Sequence, residues 1–121
     1  MTRGTWNRAG GLLLLLLLQS PLTHAATHSA TIVRVGDSYG NLETDLAAAT
    51  LALSEGARFR LACGEKTFEA TWAVWYGDVP EGDWLGLTNE DGNVQIAING
   101  GDADAAAGCT TGDVLTISTI P

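Results

Sequence analysis

Few side chains in this sequence could carry bond-breaking chemistry. It contains two histidines and two cysteines. A nucleophile–histidine–carboxylate relay needs a histidine within reach of both partners. His24 lies inside a leader-like segment and His28 just behind it, near an N-terminus expected to fray, so no Ser–His–Asp site is expected. Cys63 and Cys109 are far apart with no second ligand beside either, which leaves no zinc-binding spacing. The segment Asn89-Glu-Asp-Gly-Asn93 is rich in oxygen donors. A calcium loop of the EF-hand kind counted from Asn89 would need glycine sixth and glutamate twelfth, and it finds Val94 and Gly100. It reads as a solvated turn. Paired carboxylates are so frequent that no pair stands out, and glycine spacing suited to cradling phosphate is absent. No catalytic residue, metal or cofactor is assigned.

The aromatic residues are more informative. Trp72, Trp75, Tyr76 and Trp84 cluster around one stretch of alternating residues and the Gly/Pro-containing loop after it. Alternation puts Trp72 and Trp75 on opposite faces, one available to a core and the other to a groove, where an aromatic face can grip a planar ring.

The elements that would position these side chains read as β structure. Thr31–Val35 is a β-branched alternating run, and Gly36-Asp-Ser-Tyr-Gly-Asn41 is a turn built from residues that tolerate positive φ. Ala47–Leu53 supports a helical turn, stopped by Ser54-Glu-Gly56. Ala57–Cys63 and Thr67–Trp75 alternate on either side of Gly64-Glu-Lys66 and predict a hairpin. Pro80 makes residues 77–82 a loop. Trp84–Leu87, Val94–Ile98 and Val114–Ser118 read as further strands. Asp102–Ala107 reads as a short helix with Asp102 as N-cap and Gly108 near its end. Five or six strands with Gly-rich turns point to an all-β fold, a small antiparallel β-barrel or sandwich with one or two short helical turns.

Arg3 and Arg8 precede an apolar block containing seven consecutive leucines, and Thr23-His-Ala25 supplies small residues at a cleavage position. Residues 1–25 are expected to be a secretory signal peptide. The block is about half the roughly 20 apolar residues a membrane span requires. Residues 26–121 then form one domain, secreted or periplasmic. That portion holds four basic residues (Arg34, Arg58, Arg60 and Lys66) against all fourteen acidic ones, a net charge of −10. Such a surface repels phosphate backbones and anionic headgroups, so neither nucleic acid nor a membrane surface is an expected partner. In an oxidising compartment Cys63 and Cys109 can pair; the alternative is two separately buried thiols.

Four segments, Gly36-Asp-Ser-Tyr-Gly-Asn-Leu-Glu-Thr44, Trp75-Tyr-Gly-Asp-Val-Pro-Glu-Gly82, Asp91-Gly-Asn-Val-Gln-Ile-Ala-Ile-Asn-Gly-Gly-Asp-Ala103 and Gly112-Asp-Val114, resemble in order and spacing the C-terminal β-barrel domain of the SAM hydroxide adenosyltransferases, relatives of fluorinase and chlorinase. The resemblance runs from about Val33 to Pro121. It implies a domain that, in those enzymes, helps close a SAM pocket against a neighbouring subunit behind a larger α/β domain. By that likeness Asn41 corresponds to an adenine-contacting asparagine, with Tyr39 at the aromatic position before it. Tyr76 corresponds to the aromatic of the Tyr-x-Asp-Val-Pro-Glu-Gly loop, and Asn99 to the asparagine of the Ile-Ala-x-Asn motif. Two departures stand out. Glu90 and Asp91 occupy the turn where the family usually has serine, and the α/β domain that carries the water-activating residues is expected to be missing ahead of this one.

The function expected from the resemblance is an exported, non-catalytic binding or interaction module with a degenerate groove at Tyr39, Asn41, Tyr76 and Asn99. It would bind a nucleoside or SAM-like ligand weakly, or associate with itself or with another exported protein. The alternative is the C-terminal part of a SAM-hydrolysing adenosyltransferase completed in trans by a separate N-terminal domain.

Overall fold

Alternation along each strand sends one set of side chains inward and the other to solvent. In the computed structural model, which describes residues 26–121, there are seven strands, and all but β5 and β6, whose outer faces are partly covered, broadly follow this rule. They are β1 (Thr27–Val35), β2 (Leu42–Ala47), β3 (Arg58–Cys63), β4 (Lys66–Trp72), β5 (Trp84–Thr88), β6 (Asn93–Ile98) and β7 (Val114–Thr119). Helical turns lie at Ala48–Leu51 and Tyr76–Asp78, and one short helix, α1, spans Ala103–Ala107. The expected 1–25 leader lies outside the described residues.

The strands close into a barrel in the order β1-β2-β6-β5-β4-β3-β7. Ala30 and Ile32, Leu42, Phe59 and Leu61, Ala70 and Trp72, Val94 and Ile96, and Leu115 and Ile117 fill its interior. Each large apolar side chain so buried contributes about 1.5–3 kcal/mol. Phe59 and Trp72 meet edge to face, with ring centroids 6.1 Å apart. The place opposite them on β5 belongs to Gly86, where a Cβ would stand 2.6 Å from Phe59 Cζ. The barrel can hold two interior aromatics here because one strand contributes no side chain. Buried Thr44 satisfies its hydroxyl by donating to the Val94 carbonyl at 2.8 Å.

All neighbouring strands are antiparallel except β4 and β5, which run parallel. A parallel pair cannot be joined by a tight turn, because the chain must return to the end from which it started. Residues 73–83 make that return along the outside of the barrel. Ala73 and Val79 from this crossover bury themselves on outward-facing Leu85, Leu87 and Ala97, with Tyr76 packed alongside. This second, smaller core fastens the crossover to the sheet.

Several elements differ from the sequence expectation. The strand after the hairpin ends at Trp72 rather than Trp75, because Asp78 Oδ2 accepts from the backbone N–H of both Val74 and Trp75 and draws them off the ladder. A further strand, β2, occupies Leu42–Ala47, where the sequence reading places no element between the turn ending at Asn41 and the helical turn beginning at Ala47. His28 lies within β1, opposite Ile117 of β7, and not on a frayed end. Asp102 caps α1 as expected, accepting from Ala105 N–H at 3.0 Å, and Gly108 ends it at φ +70°. Cys63, at the end of β3, and Cys109, after α1, stand at disulfide distance with Cα atoms 6.2 Å apart.

Candidate functional site

The turn before β2 positions Asn41. Its ends are tied by hydrogen bonds from Gly36 N–H to Asn41 O and from Gly40 N–H to Gly36 O. Gly40 sits at φ +63° against Asp102, whose carboxylate occupies the space a Cβ would need. Asp104 N–H donates to Gly40 O at 2.9 Å. The turn is therefore seated on the first residues of α1, and only glycine allows so close a seat.

The crossover brings the second wall. Tyr76 OH accepts from Asn41 Nδ2 at 2.7 Å and from Gln95 Nε2 at 3.0 Å. Asn99 Nδ2 donates to Val79 O at 2.8 Å, and the Asn99 backbone pairs with Gly82 and Asp83. A groove of about 440 Å³ lies between these walls, lined by Tyr39, Asn41, Tyr76, Ile98, Asn99 and Gly100. It is on the outer surface of the barrel, since the interior is filled with side chains.

All four residues expected at a groove, Tyr39, Asn41, Tyr76 and Asn99, thus line one. They do so in different ways. Tyr39 is a rim residue, 64 % exposed. Tyr76 organises the wall. The Asn99 amide nitrogen is occupied in holding the crossover. Asn41 retains unused capacity: Oδ1 is buried and has no hydrogen-bond partner. A buried acceptor without a donor costs about 1–3 kcal/mol. Exchanging the nitrogen and oxygen of the carboxamide would transfer the vacancy to the nitrogen, so one end of this group lacks a protein partner in either orientation.

Trp75 does not line the groove. It is exposed and its ring lies against Gly77, while Trp72 is in the core. Gln95 escapes the sequence reading. Its signal was available: Val94 and Ile96 face the interior, so the residue between them must face out.

A second compartment of about 290 Å³ adjoins the first and shares Tyr39 and Asn41 with it. Its charged lining consists of Arg34, Asp37, Glu43 and Glu90. A register shift in β1 sets Ile32 opposite Thr44 but Arg34 opposite Glu43. Those two form an ion pair. Asn89 Nδ2 donates to the other Glu43 oxygen at 3.2 Å. Asn89 Oδ1 accepts from the N–H groups of Asp91 and Asn93, which closes the acidic segment as a turn. Among the described residues no group of three or more His, Cys, Asp or Glu side chains converges as a metal site.

Comparison with protein-family models matches residues 30–116 to the SAM hydroxide adenosyltransferase C-terminal domain. Among solved structures, an uncharacterized conserved protein from Thermotoga maritima is similar at 27 % identity and a TM-score of 0.72, over 82 % of this chain and 38 % of its own. A conserved hypothetical protein from Thermus thermophilus shares the fold at 24 % identity and a TM-score of 0.56, over 74 % of this chain and 34 % of its own. No curated protein matches. The match therefore spans little more than a third of either solved relative. With the family match covering most of the barrel and all four groove residues, the chain belongs to the SAM hydroxide adenosyltransferase C-terminal domain family.

Proposed function

We propose that this protein is an exported, non-catalytic binding module whose outer groove takes an adenine nucleoside weakly. The observation that carries the reading is the unpartnered end of the Asn41 carboxamide in a groove walled by Tyr39 and Tyr76. An asparagine carboxamide matches the Hoogsteen edge of adenine, which offers an amino donor beside a ring-nitrogen acceptor. Because Oδ1 is out of contact with solvent, a ligand engages it by turning the last side-chain torsion, which is soft, away from the Tyr76 hydrogen bond. The leader-like residues 1–25 and the cysteine pair at disulfide distance support an oxidising, extracytoplasmic setting.

The non-catalytic reading rests on the character of the lining. Tyr, Asn, Ile and Gly supply contacts and orientation, and no general base aligned to activate water is found among them. Titration of the protein with adenosine and, separately, inosine tests the groove, read by amide and Asn side-chain shifts in NMR spectra. Saturable shifts at Asn41 and Tyr76 with adenosine, weaker with inosine, are expected. Inosine replaces the amino donor by a carbonyl. No shift with millimolar adenosine sinks the groove.

The greater length of the solved relatives favours one second reading, a SAM-hydrolysing enzyme completed in trans by a separate catalytic domain. Adding the N-terminal domain of a SAM hydroxide adenosyltransferase and assaying adenosine release from SAM distinguishes it. Adenosine formation that requires both proteins would support this reading over the non-catalytic one.

A further inference from the structure

Resting on the nucleoside reading above, we infer that the second compartment makes the groove selective for a nucleoside bearing a cationic substituent, and that it rejects one bearing a carboxylate or phosphate. The two compartments share Tyr39 and Asn41, so a ligand anchored at Asn41 and longer than its base extends along the carboxylates of Asp37, Glu43 and Glu90. The single cation there, Arg34, is paired with Glu43. That pairing follows from the register shift in β1, which sets the two residues opposite each other on the outer surface. The second Glu43 oxygen is held by Asn89, and Arg34 is outnumbered in this lining by the three carboxylates of Asp37, Glu43 and Glu90.

Asp37 and Glu90 are exposed and have no ion-pair partner among the described residues. Beyond the compartment the field has the same sign. Asp102 abuts Gly40 on the Asn41 turn and Glu81 abuts Gly100 at the groove wall, which adds negative charge near the groove. The two tyrosines add ring faces that also favour a cation. An amino-acid tail would gain from its ammonium and lose from its carboxylate, whereas a simple amine only gains.

Three ligands with the same base and sugar separate the effects: 5′-amino-5′-deoxyadenosine, adenosine, and adenosine 5′-monophosphate. Calorimetric titration at low salt is expected to rank them amine, nucleoside, phosphate, with the amine about tenfold tighter than the nucleoside, and the gap closing as salt screens exposed charges. The D37N/E90Q variant, altered at two exposed positions, is expected to narrow the gap between amine and nucleoside. Equal affinity for the amine and adenosine, or a gap of unchanged size in the variant, would overturn the charge selection while leaving the adenosine groove standing. Failure of all three to bind would remove both.

Discussion

Asn41 and Tyr76, thirty-five positions apart in the chain, meet through a 2.7 Å hydrogen bond that joins the turn before β2 to the crossover after β4. Gln95 of β6 donates to the same phenol oxygen. Three separate segments are thereby held by one hydroxyl group, and the groove exists because they meet.

Removing that hydroxyl should loosen all three. The Y76F variant leaves the amides of Asn41 and Gln95 without their shared acceptor in a partly buried setting, a loss of about 1–2 kcal/mol. For a domain of this size that corresponds to a drop in melting temperature of roughly 4–8 °C per kcal/mol. Thermal denaturation followed by circular dichroism measures it. An unchanged melting temperature would show that the hydroxyl does not brace the groove.

Gly40 is required for two separable reasons, its φ of +63° and its contact with Asp102. The G40A variant should lose about 1–2 kcal/mol from the left-handed backbone alone and more from displacing the Asp102 carboxylate. The D102A variant should lose about 1 kcal/mol as a missing N-cap. The double variant should lose less than the two single losses added together, since the new methyl then meets no carboxylate. Urea unfolding of the four proteins reads the coupling, and strict additivity would exclude the steric component.

Asn99 holds the crossover by donating to Val79 O. Its replacement by aspartate sets a carboxylate against that carbonyl. The expected result for N99D is faster amide hydrogen exchange at Val79 and Gly82, with protection in β3 and β7 retained. Uniform loss of protection would instead mean that the crossover is not a separate opening unit.

The Cys63–Cys109 pair encloses a sequence separation of 46 residues. By loop-closure entropy, a bond across it is worth about 4 kcal/mol. Urea midpoints with and without reductant should differ accordingly, and mass spectrometry of the untreated protein should show two hydrogens fewer than the reduced form. Coincident unfolding curves would contradict the stabilisation.

The β character of the chain was legible because alternation reports directly which face of a strand is buried. Thr31–Val35, Ala57–Cys63, Val94–Ile98 and Val114–Ser118 all fall in or against observed strands. The cap at Asp102 was legible for a similarly local reason, since its side chain reaches an N–H three residues away. β2 was obscured: Glu43 and Asp45 within it, and the alanines that follow, weaken the local strand signal, and its place is set by pairing with β1 and β6. The end of β4 was likewise hidden, because Asp78 competes for the backbone donors only when the crossover folds over.

For the candidate groove, motifs in the amino-acid order were enough to name Tyr39, Asn41, Tyr76 and Asn99, which the fold brings together around one depression. How they divide the work emerges from folding. Whether an amide is free or occupied depends on which distant group it meets: Asn99 is held by Val79, while Asn41 keeps an unpartnered end. Every charge of the second compartment was likewise present in the sequence. That Arg34 is paired with Glu43 depends on a register shift between two strands, a relationship no local pattern encodes.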